Sequence, residues 1–230
     1  MKDLSGYTPR PLPGTAVLEG RFVRLEPWET SDHGTALGEV VSGPDAAHLW
    51  TYLPFEGFDT PDAFAEGFTN LIKQGDWNGY AILDQETGQT IGTASYMRQR
   101  PADGSIEVGC VLFSPKLQKT SHATEAIWLM AHHVFEDLGY RRFEWKCDNL
   151  NLASKRAALR FGFRYEGIFR NDRIVKGRNR DTAWFAMTDD DWPEIDRAFR
   201  DWLAPSNFSS NGQQIRKLAA QPSNHIQNQQ

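Results

Sequence analysis

The sequence predicts a mixed α/β fold of the α+β kind, one mostly antiparallel sheet flanked by helices. Strand-like runs at 80–83, 90–97 and 106–113 are separated by turns as short as Glu86-Thr87-Gly88 and Pro101-Ala102-Asp103-Gly104, the mark of an antiparallel meander. The third run feeds a polar loop and then a helix. In that helix Ala123, Ala126, Ile127, Met130, Ala131, Val134 and Leu138 recur at i, i+3, i+4, i+7, and Gly139 stops it. A strand at 142–147, a short helix at 153–161 and closing strands at 164–169 and 182–187 complete a non-repeating α/β order.

The other elements follow from local signals. Pro9, Pro11 and Pro13 make residues 1–15 an extended arm, read as a strap over the sheet or a polyproline ligand. Residues 21–27 alternate as a strand until Pro27. Thr60-Pro61-Asp62 is an N-cap, an N1 proline and a first-turn acid, with Phe64, Phe68, Leu71 and Ile72 striping a helix over 61–74. Asp191-Trp192 opens the last helix, with Ile195, Phe199 and Trp202 on one side. The domain spans 16–203. The tail, 204–230, is rich in Ser, Asn and Gln and is expected to stay outside the fold, because it buries too little apolar surface to offset its ordering entropy.

Bulk properties bound the function. With 230 residues, a net charge of −5 and 40% hydrophobic content, one sizeable core is expected. The acidic balance argues against nucleic acid as the main partner. No run of about 18 apolar residues is present to span a membrane, and the first residues lack the apolar stretch of a secretory signal. A cytoplasmic protein is expected. Cys110 and Cys147 are spaced for neither a zinc knuckle nor a CxxC pair, and His132-His133 lacks the H-E-x-x-H pattern, so no metal is expected.

The segment "SPKLQKTSHATEA" at 114–126 is a polar loop ahead of a helix, poor in helix formers. Free amides at a helix start, with the helix dipole, make an anion site. Gln118-x-x-Ser121-x-Ala123 follows a strand and Pro115 and matches neither a P-loop nor G-x-G-x-x-G. It reads as a pyrophosphate cradle or as an ordinary loop capped by Thr120 or Ser121.

Downstream residues favour the cradle. Phe113-x-Pro115-x-x-Gln118-x-x-Ser121-x-Ala123 resembles the acetyl-CoA motif Q/R-x-x-G-x-G/A of the GNAT superfamily of N-acetyltransferases. Asn151-x-x-Ser154 with Phe161-Gly162-Phe163 resembles that superfamily's second cofactor motif. The words "SIEVG", "ATEA", "LGYRRFEWKCDNLN" and "RYEGIFR" are similar to the RimJ/RimL branch, N-terminal acetyltransferases of ribosomal proteins and their relatives. The resemblance covers roughly residues 16–203. It implies the GNAT acyl-CoA N-acyltransferase fold and direct attack of a primary amine on the thioester of acetyl-CoA.

The resemblance also implies roles. Gln118 belongs to the motif, and amides from Lys119 through Thr120, Ser121, His122 and Ala123 to Thr124 would hold the pyrophosphate. Val111 and Phe113 would offer main-chain groups to the pantetheine arm, and Asn151 would bond its amide. Ser121 stands at the usual glycine, where a Cβ crowds the phosphates if φ must be positive. Glu107 matches the branch's glutamate and is the expected base; by period 2 its side chain shares a face with Val111 and Phe113. A structural ion pair is its other reading, and Asp172 or a water chain the other bases. The superfamily's acid tyrosine is replaced by Ala158, so Ser154 is the substitute acid, or only a helix-opening residue.

Acceptor signals are sparser. Trp50, Tyr52 and Phe55 form an aromatic cluster where relatives place acceptor loops, serving either as an acceptor wall or as core. Residues 154–180 carry nine Lys and Arg against Glu166 and Asp172. That stretch would meet the 3′-phosphate of CoA, an acidic acceptor or ribosomal RNA, or simply face solvent. The acceptor is a protein or peptide N-terminus or a small amine, and a homodimer is left open. The rival reading is an acyl-CoA-binding module without turnover.

Overall fold

The computed structural model describes residues 3–221. One eight-stranded sheet runs in the order β1-β2-β3-β4-β5-β6-β8-β7. Its strands are β1 (Leu18–Glu19), β2 (Val23–Pro27), β3 (Asn78–Asp84), β4 (Thr90–Arg100), β5 (Ser105–Phe113), β6 (Arg142–Asp148), β7 (Arg164–Val175) and β8 (Arg178–Thr188). Every neighbouring pair is antiparallel except β5 and β6. The helices are α1 (Thr35–Val41), α2 (Pro61–Gly75), α3 (Ser121–His132), α4 (Leu152–Arg160) and α5 (Trp192–Leu203). The mixed, mostly antiparallel sheet with flanking helices is the predicted fold.

Two apolar clusters hold it together. The larger packs α3, through Ala126, Ile127 and Met130, and α5, through Ile195 and Phe199, onto Tyr96, Val108, Phe143 and Phe185 of the sheet. The smaller joins α1 and α2, through Leu37, Val41, Phe64 and Phe68, to Trp50 and Leu112. Thr60 caps α2 by accepting from the Ala63 N–H at 3.2 Å, as its sequence signal requires.

Some expectations need extension. The β7–β8 hairpin runs to Val175 and Arg178; its outer half is mostly charged and polar, so it carries no hydrophobic alternation to read. The α3 helix gives way to a π-helical turn, His133–Asp137, before Gly139. The tail expectation is corrected over 205–221. Asn207 and Ala220 are buried, Phe208 stacks edge-on against Trp202 at 5.3 Å, and Trp202 Nε1 donates to Gln214 at 2.9 Å. A few anchoring side chains tie down a segment whose average composition reads as disordered. Residues 222–230 lie outside the described residues. The arm lies as a strap: the Arg10 N–H donates to the Pro101 carbonyl at 3.1 Å.

The cofactor-loop helix is fixed to the first strands by one buried carboxylate. Glu125, 2% exposed, accepts from the backbone N–H of Arg21 at 2.9 Å, Phe22 at 2.6 Å and Val23 at 2.9 Å. Gly20 is required there, because a Cβ would sit 2.5 Å from Glu125 Oε2. We expect Glu125→Ala to lower stability by roughly 3–5 kcal/mol, since three donors lose a charged acceptor. Urea denaturation checks this, and Glu125→Gln, which retains one carbonyl oxygen, should recover part of the loss.

Candidate active site

The cleft begins where the parallel pair comes apart. Strands β5 and β6 pair only from Ser105 with Arg142 to Val108 with Trp145. Beyond Val108 the β5 edge is free of β6. A bulge sits at the same point: Gly109 opposes Ser95 but Leu112 opposes Thr93, and Cys110 adopts φ 48°. The extra residue shifts side-chain parity. Glu107 therefore shares its face with Gly109 and Leu112, whereas Phe113 turns to the other face with Val108 and joins the larger core with Val111. This corrects the period-2 expectation, which assumed an unbroken strand.

A cleft of about 1590 Å³ fills the gap. It brings together Glu107, Val111, Phe113, residues 118–124, Asn151 and Ser154, with Tyr52 and Phe55 at its far side. Trp50 does not line it. That side chain is 2% exposed, donates from Nε1 to the Val41 carbonyl at 2.7 Å and packs on Phe55, Phe58 and Phe64. The acceptor-wall expectation for Trp50 is corrected to a core role, because its large ring finds an aromatic shell. Asp172 is exposed on β7 and outside the cleft lining.

The loop before α3 is an amide cradle with a narrower reach than expected. Thr120 is the N-cap: its Oγ1 accepts from the Ala123 N–H at 3.3 Å, which occupies that amide. The left-handed residue is Lys119, φ 61°. Ser121 is the first helical residue and has no positive φ, so its Cβ is accommodated. The first-turn amides of Ser121 and His122 have no intrahelical acceptor, and Lys119 and Thr120 immediately precede them. Gln118 donates from Nε2 to the Phe113 carbonyl at 2.9 Å, tying the loop to β5. His122 turns its Nε2 toward Asp84 Oδ2 at 3.1 Å.

Arg160, unmarked by either motif, stands beside this cradle. Its Nη1 donates to Thr124 Oγ1 at 3.0 Å, and its guanidinium lies 5.2 Å from the Trp202 ring centroid. Burial pulls its pKa down. Phe208 and residues 212–214 line the same end. Their tail position gave no sequence signal.

At the other end Asn151 caps α4, its Oδ1 accepting from the Ser154 N–H at 3.0 Å. Ser154 Oγ accepts from Trp145 Nε1 at 2.9 Å. Ala158 is fully buried, in a core position with no space for a tyrosine ring. Glu107 is 1% exposed, with Oε2 3.0 Å from Lys146 Nζ and 3.4 Å from Arg98 Nε. Burial raises its pKa above the usual glutamate value, against the pull of Lys146 and Arg98. The neighbouring Glu144 takes Arg100 and Arg142 at 2.9 and 2.7 Å. Lys146 was legible only as a polar residue at alternate spacing on β6. Burial pushes the Cys110 thiol up to about 12 and raises that of Cys147, so both are protonated at neutral pH and unsuited to covalent attack. Among the described residues no three His, Cys, Asp or Glu side chains are grouped to hold a metal ion. No helix there is long and apolar enough to cross a membrane.

Comparison with known proteins agrees with this geometry. Residues 23–164 match the family model described as acetyltransferase (GNAT) domain. A crystal structure of a GCN5-related N-acetyltransferase from Brucella melitensis is 44% identical, with a TM-score of 0.85 over 94% of this chain and 97% of that one. The N-acetyltransferase p20 of Bacillus licheniformis is 25% identical over 66% of this chain and 84% of its own length. Ribosomal-protein-S5-alanine acetyltransferase from Vibrio fischeri, 18% identical with a TM-score of 0.62 over 77% of this chain and 98% of its own, shares the fold. A cleft at a strand splay and a family model over residues 23–164 together place the chain in the GNAT family of N-acetyltransferases.

Proposed function

We propose that this acetyltransferase moves the acetyl group of acetyl-CoA to a primary amine by direct attack, with Glu107 as base and Ser154 as proton donor to sulfur. The observation that carries the reading is the convergence, in one cleft, of the amide cradle, the unpaired β5 edge and a buried carboxylate. These residues fit acetyl-CoA. The amides of residues 119–122 and the Arg160 guanidinium would hold the pyrophosphate. The free edge from Gly109 to Phe113 would pair with the pantetheine amides as an added strand does. Asn151 spends its Oδ1 on the cap and keeps its amide nitrogen for the ligand.

The chemistry follows from the same groups. An ammonium must lose a proton before it can attack. Glu107, whose pKa burial raises, accepts that proton directly or through one water. The amine nitrogen then bonds the thioester carbon. The bulge amides at Cys110 and Val111, without Cα partners on β4, would donate to the oxyanion. Collapse breaks the C–S bond, the departing thiolate takes a proton from Ser154, and Ser154 regains one through water from the nitrogen as it becomes the amide. The Ser154 hydroxyl accepts from Trp145 Nε1 and neighbours the Cys147 thiol; its hydrogen turns from that thiol to the departing sulfur.

The RimJ/RimL-like motifs point toward a protein N-terminus as acceptor. The acceptor end points toward a small amine, because it is roofed: Tyr52 donates to the Leu150 carbonyl at 3.3 Å and Lys176 Nζ to the Trp50 carbonyl at 2.8 Å.

Two outcomes test the assignment. Glu107→Gln should lower kcat by roughly 100-fold with acetyl-CoA affinity unchanged. In the wild type kcat should fall as pH drops through the raised Glu107 pKa, and the variant should lose that acid limb; an unaltered pH profile removes Glu107 as base. Arg160→Met should weaken acetyl-CoA binding by roughly 10- to 100-fold in calorimetry, with kcat at saturation nearly kept.

A further inference from the structure

Several basic residues in and beside the cleft are matched by carboxylates. Lys146 and Arg98 face Glu107, Arg100 and Arg142 face Glu144, and Lys176 faces Glu56. Lys119, Arg156 and Arg160 line the cleft without an ion pair among the described residues, and so do Arg173 and Arg180. The last two stand directly opposite each other on β7 and β8. A bulge between Phe169 and Arg173 sets that register. Asn171 takes φ 53° in the bulge and its N–H donates to Asp181 Oδ1 at 2.8 Å.

Arg180 is only 7% exposed, and its Nε has no hydrogen-bond acceptor. Neither guanidinium forms an ion pair among the described residues; Asp148 and Asp172 act on Arg180 only at longer range, against the repulsion of Arg173. Two like charges side by side, one of them desolvated, are unfavourable without a counter-anion. The planar fork of each guanidinium is shaped to take a carboxylate in two hydrogen bonds.

The position of the pair selects which anion it meets. The Asn149 N–H donates to the Asp181 carbonyl at 2.8 Å, which sets this part of β8 beside the N-terminus of α4. The phosphate cradle and Arg160 lie by the C-terminus of α4, a helix of nine residues and hence about 13 Å. The pair is therefore at the acceptor end, under the Tyr52 and Lys176 roof, with Leu53, Phe55, Trp77 and Met97 as the apolar part of the cleft lining. On the sheet, alternate residues of β6 and β8 carry the face of Glu107 through Lys146 and Trp184 to Arg180.

We infer that the acceptor is a small amine that also carries a carboxylate, an amino acid with an apolar side chain, whose carboxylate is held by Arg180 and Arg173 while its amine faces Glu107. The inference rests on the acetyl-transfer reading and deepens it. A peptide N-terminus would bring an uncharged amide to the arginines in place of the carboxylate. The arginines are binding residues and take no part in proton transfer.

The test is a calorimetric titration of the full chain, saturated with CoA, with the N-acetyl derivatives of phenylalanine, leucine and methionine and with their primary amides. These are product-side probes, so the readout needs no turnover. At least one acid should bind roughly 10- to 100-fold tighter than its amide. That preference should vanish in Arg180→Met, which swaps a buried charge for an apolar chain, and shrink in Arg173→Met, an exposed site whose change leaves folding intact. Acetyl-CoA affinity should be the same in all three proteins. Acids and amides binding alike, or not at all, would overturn the inference, as would a preference that survives both substitutions. A wild type that fails to bind acetyl-CoA would instead overturn the proposed function, whatever the probes do.

Discussion

The separation of β5 from β6 after Val108 and Trp145 is the constraint from which the site follows. Parallel pairing lasts four residues and then stops, although both strands stay anchored, β5 to β4 and β6 to β8. The bulge at Cys110 is placed at the divergence. A residue with a Cβ in the left-handed region costs about 1–2 kcal/mol, and here that strain turns the β5 edge away from its neighbour. Main-chain groups on an edge that lies inside a protein need partners. A ligand with its own amides would meet that need in the place of the missing strand.

The electrostatics of the cleft run against those of the chain as a whole. Net charge is −5, yet four cations from β4 and β6 converge on the two buried carboxylates Glu107 and Glu144. Arg142 also takes Glu166 of β7, so charges link β4, β5, β6 and β7 on one face. Such pairs stabilise little in net terms, but losing one member is costly because its partner stays buried. Glu107 is consequently held in place by Lys146 and Arg98 while burial keeps it basic. The ion pairs that fix Glu107 and the burial that raises its pKa are thus parts of one arrangement.

Periodicity made the fold legible, and failures came where it breaks. The meander, the α3 stripe and the α5 side all rest on repeating spacing, and each lies where expected. Period 2 misassigned the faces of Val111 and Phe113 because a bulge at a cysteine has no turn-residue signature. Of the aromatic cluster, Trp50 lies in the core while Tyr52 and Phe55 line the cleft, since sequence does not say which ring points inward. The tail was judged by average composition, whereas Phe208, Gln214 and Ala220 decide its packing. Arg160, Arg173 and Arg180 sat in a stretch recognised as basic. That Arg160 lies by the C-terminus of α4 and the Arg173–Arg180 pair on the side of its N-terminus needed the two ends of α4 in space.

The cofactor loop shows how a motif position can be filled without its usual residue. Glycine at the place of Ser121 would be required only if that residue had to be left-handed. Here the left-handed turn falls two residues earlier, at Lys119, and Thr120 then caps the helix. Ser121 enters α3 with an ordinary backbone, so its side chain costs nothing sterically and its amide stays exposed at the positive end of the dipole. Lys119 bears the backbone strain instead, and a lysine there brings a cation to the side of the cleft that would receive the phosphates. The same chain thus meets the geometric demand of the cradle and adds charge to it in one substitution of roles.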